Sequence, residues 1–252
     1  MAIYAYVGLP GSGKSYGVVQ NQVLPALREG RMVCTNVPLY EDRIRESVTT
    51  GELRDFPIEK VAAEPHLIEQ YAPAGSVVII DEVWRLFPAG QKVNNVPEPF
   101  KSFFAEHRHR VDEQGRSVQI VLVTQDLAQI GAFARQLVDQ TFVHQKLDHF
   151  GASGSYQVTI YKTGVTGQRP PDNLKVRSIL GRYDPKVYRL YKSHTLSHAA
   201  GDGANEKAAD TRGNMFKSPL WIAGALIFLL GLGFGVPRVL GFFGGGDRAA
   251  AA

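Results

Sequence analysis

Short apolar runs at Ala2–Val7 (AIYAYV), Val77–Ile80 (VVII) and Val118–Val123 (VQIVLV) have the length of buried strands and lack strict polar alternation. They predict a mainly parallel sheet covered on both faces, an α/β fold. Met32–Thr35 predicts a further strand ending at Asn36 before Pro38, and Asn36 reads as a turn former or as a site residue. After the first strand, Tyr16, Val19, Val23 and Leu27 recur at helical spacing. Gly30 predicts the stop of that helix, and Pro25 a kink or early end. Phe100, Phe103, Phe104, His107 and Val111 fit one face of a later helix, His107 reading as a packed histidine, while Arg108 and Arg110 lie off that face. Beyond residue 150, Tyr156–Tyr161 (YQVTIY) and Lys186–Lys192 (KVYRLYK) alternate as strands of a small β extension, separated by loops around Pro170, Pro171 and Pro185. Its cations Lys162, Arg169, Lys175, Arg177, Arg182, Lys186, Arg189 and Lys192, interleaved with Tyr161, Tyr183, Tyr188 and Tyr191, read as a solvated face or as a surface for anionic lipid or DNA.

One run is of a different kind. Pro219–Val236 (PLWIAGALIFLLGLGFGV) holds 18 residues with no charge and no polar stripe, the lower limit for crossing hydrocarbon as a helix. A transmembrane helix is predicted at 218–236, after a flexible tether at 193–217 and before a short low-complexity tail at 237–252. Within it, Gly231 and Gly235 are spaced like the small-residue pairs of associating membrane helices. Lys207, Arg212 and Lys217 before the span, against Arg238 and Arg248 after it, barely favour the amino side as the inside. A folded cytoplasmic domain is expected at 1–192.

The chemistry begins where the first strand ends. Gly8–Ser15 (GLPGSGKS) is a P-loop, in which glycines let the backbone curl tightly enough to aim N–H groups at phosphate oxygens. The expected cradle is Gly8, Leu9, Pro10, Gly11, Ser12, Gly13, Lys14 and Ser15, with Tyr16 in the first turn of the helix. Lys14 would reach the β- and γ-phosphates, the Ser15 hydroxyl would ligate Mg²⁺, and the helix dipole favours the anion. The second strand ends in Asp81 and Glu82, a Walker B pattern: Asp81 would hold the Mg²⁺ hydration shell and Glu82 would orient and polarise the attacking water. The third ends in Thr124 and Gln125, and Gln125 is the candidate γ-phosphate sensor. Arg108, Arg110 and Arg135 are candidates for an arginine finger acting in a neighbouring subunit.

Composition adds limits. A chain of 252 residues, 44% hydrophobic and 21% charged, holds one domain of about 150–200 residues with an appendage and is not a disordered or collagenous protein. The single cysteine, Cys34, cannot form an internal disulfide or a thiolate cluster, so a reducing compartment is expected. The net charge of +4 comes from scattered residues and decides nothing about partners.

The P-loop at the amino terminus, VVIIDEVWRLFP, FFAEHRHRVDEQGRSVQIVLVTQDL and one late membrane span, in that order, resemble the zonular occludens toxin (Zot) family. The resemblance runs from about Met1 to the membrane span and implies a P-loop ATPase of the additional-strand type, whose third apolar strand inserts between the strands carrying the P-loop and Walker B. It implies an oligomer, a ring, at the host inner membrane, with the amino-terminal domain cytoplasmic. Such an enzyme couples ATP hydrolysis with Mg²⁺ to extrusion of a filamentous phage. Its partners would be phage coat protein and the single-stranded DNA packaging complex, and also an outer-membrane secretin, met through a periplasmic region larger in family members than the tail at 237–252.

Two other readings share the motifs. An FtsK- and HerA-type DNA-translocating or conjugation ATPase would be stimulated by DNA, and a nucleotide-gated scaffold would bind ATP tightly and release no phosphate. A GTPase fits less well, because Gln145 to Asp148 (QKLD) only approaches the guanine-reading pattern and Trp84 stands where a switch motif needs glycine.

Overall fold

The computed structural model describes residues 3–147, 154–167 and 169–192. The strands are β1 (Ile3–Val7), β2 (Met32–Thr35), β3 (Glu52–Asp55), β4 (Val77–Ile80), β5 (Gln119–Val123), β6 (Gln140–Lys146), β7 (Ser155–Lys162) and β8 (Lys175–Arg182). They form one sheet in the order β3-β2-β4-β5-β1-β6-β7-β8. β1 to β6 run parallel, and β7 and β8 add on antiparallel. The third apolar run lies where expected, between β1 and β4.

Both faces of the central strands are covered, which is why their sequences do not alternate in polarity. Ile3, Ala5 and Val7 of β1, Val78 and Ile80 of β4, and Ile120 and Leu122 of β5 join one core with Phe87, Phe100, Phe103 and Phe104. Tyr6, Val77, Ile79, Val121 and Val123 join the other with Tyr16, Val19, Val23 and Leu27. At the end of the sheet opposite the P-loop, the buried Arg31 donates from Nε and Nη2 to the Gly75 carbonyl, and from Nη2 to the carbonyls of Ser76 and Ser117, at 2.7–3.2 Å. It ties the entry of β2 to those of β4 and β5.

The first helix does not stop or break at Pro25. It runs as α1 (Lys14–Val18), a π turn (Val19–Val23) and α2 (Leu24–Arg28), with the Leu24 N–H reaching back five residues to the Val19 carbonyl. The wider turn accommodates a proline that has no N–H to offer the ladder. Gly30, at φ 71°, ends it as predicted.

Then come α3 (Glu41–Ser47), α4 (Ile58–Ala63), α5 (Ile68–Tyr71), α6 (Glu98–Glu106), α7 (Ala132–Gln136) and α8 (Pro185–Tyr188). The aromatic face of α6 is buried as expected, and His107 is buried with Nδ1 2.7 Å from the Phe104 carbonyl. Val111 is a correction: α6 ends at Glu106, and Val111, 49% exposed, bridges Ser117 in a short turn.

The β extension differs more. Tyr156–Tyr161 falls within β7, but Lys186–Lys192 is not a strand. Asp184 caps α8 by accepting the Lys186 N–H, Pro185 opens its first turn, and Val187, Leu190 and Tyr191 turn inward at three- and four-residue spacing. The partner of β7 is β8, in the stretch read as loop. As an edge strand with Val176, Ile179 and Leu180 exposed, β8 carries no alternating pattern to betray it.

No described helix is long and apolar enough to cross a membrane. The predicted span at 218–236 with its Gly231–Gly235 pair, the tether at 193–217 and the tail at 237–252 lie outside the described residues.

Candidate nucleotide site

The P-loop leaves the carboxyl end of β1 and enters α1, with Gly8, Gly11 and Gly13 at φ 147°, 72° and 88°, backbone angles that side chains rarely adopt. The loop is also walled in. A Cβ on Gly8 would stand 2.4 Å from the His144 carbonyl oxygen, and one on Gly13 would stand 2.5 Å from the Tyr183 hydroxyl. Only glycine fits these two positions, and the curl they allow is the one that exposes backbone N–H groups. Leu9, Pro10 and Gly11 form the open side, while Ser12 is buried with Oγ lacking a hydrogen-bond partner among the described residues.

Lys14 curls over the loop and donates from Nζ to the carbonyls of Gly8 at 2.8 Å and Leu9 at 3.2 Å. Burial lowers its pKa, and the opposing charges of Asp81 and Glu82 pull the other way. The ammonium therefore feels both Walker B carboxylates from the same edge of the sheet. Ser15, half-buried, follows in the first turn of α1.

β4 delivers Asp81 and Glu82 to the same edge of the sheet, two strands from β1 and separated from it by β5, hence about 10 Å away at the usual strand spacing. The Asp81 backbone is clamped by Asn36, whose Nδ2 donates to the Asp81 carbonyl at 2.8 Å and whose Oδ1 accepts the Asp81 N–H at 2.7 Å. Asn36 is thus more than a turn former. It sits at the end of β2 beside β4 and fixes the backbone at the carboxyl end of β4.

Burial raises the Asp81 pKa, Glu82 adding to this, while the Glu82 N–H and the Lys14 charge oppose it. A partly buried carboxylate short of compensating charge, on the same sheet edge as the P-loop, suits Mg²⁺, which takes one or two carboxylates together with phosphate oxygens. Asp81 and Ser15 are the residues that would hold it. Among the described residues no cluster of three or more His, Cys, Asp or Glu is placed to hold a metal ion.

This raised pKa has a sign in stability. A carboxyl that holds its proton more tightly when folded makes the fold less stable once the pH exceeds its folded pKa. Asp81→Asn is therefore expected to raise the melting temperature of the nucleotide-free protein at neutral pH, by about 1 kcal/mol in stability, while losing Mg²⁺-dependent turnover. Calorimetry and phosphate release on the same preparation read both effects.

β5 ends between the two motifs. The Thr124 hydroxyl donates to Gln129 Oε1 at 3.0 Å, and the Gln125 carbonyl accepts the Gly8 N–H at 3.0 Å, leaving the Gln125 side chain exposed beside the start of the loop. The sensor candidate thus shares the edge with the P-loop and Walker B.

Three predicted arginines do not. Arg108 donates to Asp139, which is hydrogen-bonded to both backbone groups of Ile3, at the far end of β1. Arg110 bonds Glu69, and its carbonyl accepts N–H groups from Gly75 and Val118, at the entry of β4 and β5. Arg135 lies near the end of α7, against Gly164. None joins this chain's own site, so an arginine finger among them would have to act on another subunit.

Tyr16 is a second correction. Its ring is 1% exposed and turns away from the loop into a cluster with Tyr156, Tyr183 and Tyr188, and its hydroxyl accepts the Asp184 N–H at 2.8 Å. Only its backbone is placed to serve a nucleotide. The same cluster half-buries Tyr183 and buries Tyr191, while Tyr188 stays 39% exposed among the cations. Tyr183 instead donates to the Ser12 carbonyl at 3.3 Å and braces the P-loop from below.

His144 was not singled out by its local sequence. It is buried, stacks on Tyr6, and packs so closely against α1 that a Cβ on Gly17 would stand 2.3 Å from its ring. Burial, and then the Lys14 charge, push its pKa down to about 3, so it stays neutral beneath the loop.

A glycine-lined loop at the end of β1, carboxylates at the end of β4 and a strand inserted between them define a P-loop NTPase fold of the additional-strand class. The family model of zonular occludens toxin (Zot) matches residues 2–198, and the chain belongs to that family. It is 24% identical over 255 residues to the zona occludens toxin of Vibrio cholerae, covering 93% of this chain and 59% of that protein. To the Gene 1 protein of Xanthomonas phage phiLf it is 22% identical over 251 residues, covering 94% of this chain and 53% of that protein. It thus spans little more than half the length of either relative. Among solved structures, the N-terminal domain of zonular occludens toxin from Neisseria meningitidis is 21% identical with a TM-score of 0.48, covering 76% of this chain and 98% of that domain. The genome packaging NTPase B204 of Sulfolobus turreted icosahedral virus 2, in complex with ATP-gammaS, is 18% identical with a TM-score of 0.42, covering 64% of this chain and 92% of that one.

Proposed function

We propose that this chain is an ATPase whose hydrolysis drives assembly and extrusion of a filamentous phage, with 218–236 anchoring it in the host inner membrane and 1–192 working from the cytoplasmic side as a ring of identical subunits. The observation that carries the ATPase reading is the convergence of Lys14, Asp81, Glu82 and Gln125 on one sheet edge around a loop whose glycines cannot be replaced without collision. Loop N–H groups and Lys14 would bind the phosphates, Asp81 and Ser15 would hold Mg²⁺, and Glu82 would orient water in line with the γ-phosphorus. Bound Mg²⁺ supplies charge neutralisation at the phosphate oxygens. Arg108 or Arg135 would complete the site of a neighbouring subunit. Family membership and the order of the motifs support extrusion as the work done, with coat protein, the single-stranded DNA packaging complex and a secretin as partners.

The test is phosphate release by the full-length protein in bilayer nanodiscs, alone and with coat protein or single-stranded DNA. Stimulation by coat protein supports extrusion, stimulation by DNA alone selects a DNA translocase, and tight binding without release selects a nucleotide-gated scaffold. Lys14→Ala is expected to weaken binding of a fluorescent ATP analogue about 10- to 100-fold, the loss of a charge-assisted contact to phosphate. Unchanged affinity in that variant would remove Lys14 from the site.

A further inference from the structure

Glu82 adopts φ 54° and ψ 43°, a left-handed conformation uncommon for a residue with a side chain. Such a backbone persists only where its surroundings hold it. The turn that follows, Val83–Arg85, brings Trp84 round so that its indole Nε1–H donates to Glu82 Oε2. Trp84 is 40% exposed and is not part of either core, so its place is not explained by filling the interior. It is nevertheless held. The Arg85 guanidinium lies 5.3 Å from its ring centroid, and Arg85 Nη1 donates to Glu59 Oε1 of α4 at 3.1 Å.

We infer that Trp84 is a positioning residue for hydrolysis, whose indole N–H fixes the Glu82 carboxylate through Oε2 and leaves Oε1 to orient the attacking water. This rests on the reading of Glu82 as the water-polarising group. An indole N–H only donates, so it can hold one carboxylate oxygen in place and leave the other to accept from water. The charged groups around Glu82 are Lys14 of the P-loop, Asp81 before it, and Arg85 with Glu59 behind Trp84. Of these, Arg85 lies over the Trp84 ring, and phenylalanine keeps an aromatic face there.

Trp84→Phe keeps an aromatic ring and removes the N–H. In the full-length protein its kcat is expected to fall about 10-fold, with KM for ATP and affinity for a non-hydrolysable analogue unchanged. Parental kcat would overturn the inference, and so would a loss of affinity for the analogue that matches the loss of kcat, the mark of a merely structural role. A second readout needs no activity. With Trp221→Phe, Trp84 is the only indole in the chain, and Glu82→Gln in that background should shift its emission as the charged acceptor becomes neutral. No shift would overturn the contact. A parent protein that releases no phosphate sinks the ATPase reading instead, and the emission result still decides whether indole and carboxylate are joined.

Discussion

Glu82→Gln is expected to bind ATP as tightly as the parent protein and to turn it over about 10²- to 10⁴-fold more slowly, the usual worth of a positioned general base. The substitution is nearly isosteric. The amide oxygen can still accept the Trp84 N–H, the backbone N–H can still reach Asp81 Oδ1, and neither the P-loop nor Asn36 is touched. What disappears is the negative charge that makes water nucleophilic. Binding should hold, because Glu82 lies beyond the phosphates, and losing one of two carboxylates facing Lys14 leaves less negative charge to repel a triphosphate. Single-turnover release of labelled phosphate, measured beside equilibrium binding, separates the two quantities. Parental turnover would place the water-activating group elsewhere on this edge.

The second large effect concerns stability. Arg31→Met is expected to destabilise the domain by about 3–5 kcal/mol, because the carbonyls of Gly75, Ser76 and Ser117 lose the buried guanidinium, Ser76 keeping the Gln119 N–H. At about 2–4 °C per kcal/mol for a domain of this size, the melting temperature should fall by roughly 10–15 °C. Methionine keeps most of the volume, so the loss reports hydrogen bonding more than a cavity. Arg31→Lys should recover only part of it, since an ammonium lacks the planar fork that serves three carbonyls from one side. Thermal denaturation followed by circular dichroism decides it, and a fall of less than about 1 kcal/mol would be within the range of an ordinary surface substitution.

The two variants bear on opposite ends of one sheet, and the ends were unequally legible. At the phosphate end, GLPGSGKS and VVIIDE are each contiguous, and the fold places both where their spacing implied. The insertion of β5 between β1 and β4 was anticipated through family resemblance, since strand order leaves no mark on local periodicity. At the other end Arg31 belongs to no motif in the sequence. Its carbonyl partners are 44 to 86 residues away, and nothing near it in the chain announces them.

The misreadings have the same origin. KVYRLYK alternates like a strand, but Asp184 and Pro185 supply a helix start just before it, a capping signal that outweighs alternation over so short a stretch. Tyr16 follows the P-loop in sequence, yet Tyr156, Tyr183 and Tyr188 draw its ring into the core. Asn36, judged by its neighbours, was left between turn former and site residue; Asp81, 45 residues on, shows what it clamps, the end of β4.

What the chain determined by itself was therefore the chemistry that depends on adjacency. Glycines at fixed offsets allow a backbone to curl around phosphate, and apolar strands carry carboxylates to their ends. Only the tertiary structure decided what steadies that chemistry: His144 and Tyr183 against the loop, Asn36 on Asp81, and the turn that swings Trp84 onto Glu82. These contacts depend on strands and turns meeting in three dimensions. Hydrogen bonds and steric exclusion act over a few ångströms of space, whatever the separation along the chain.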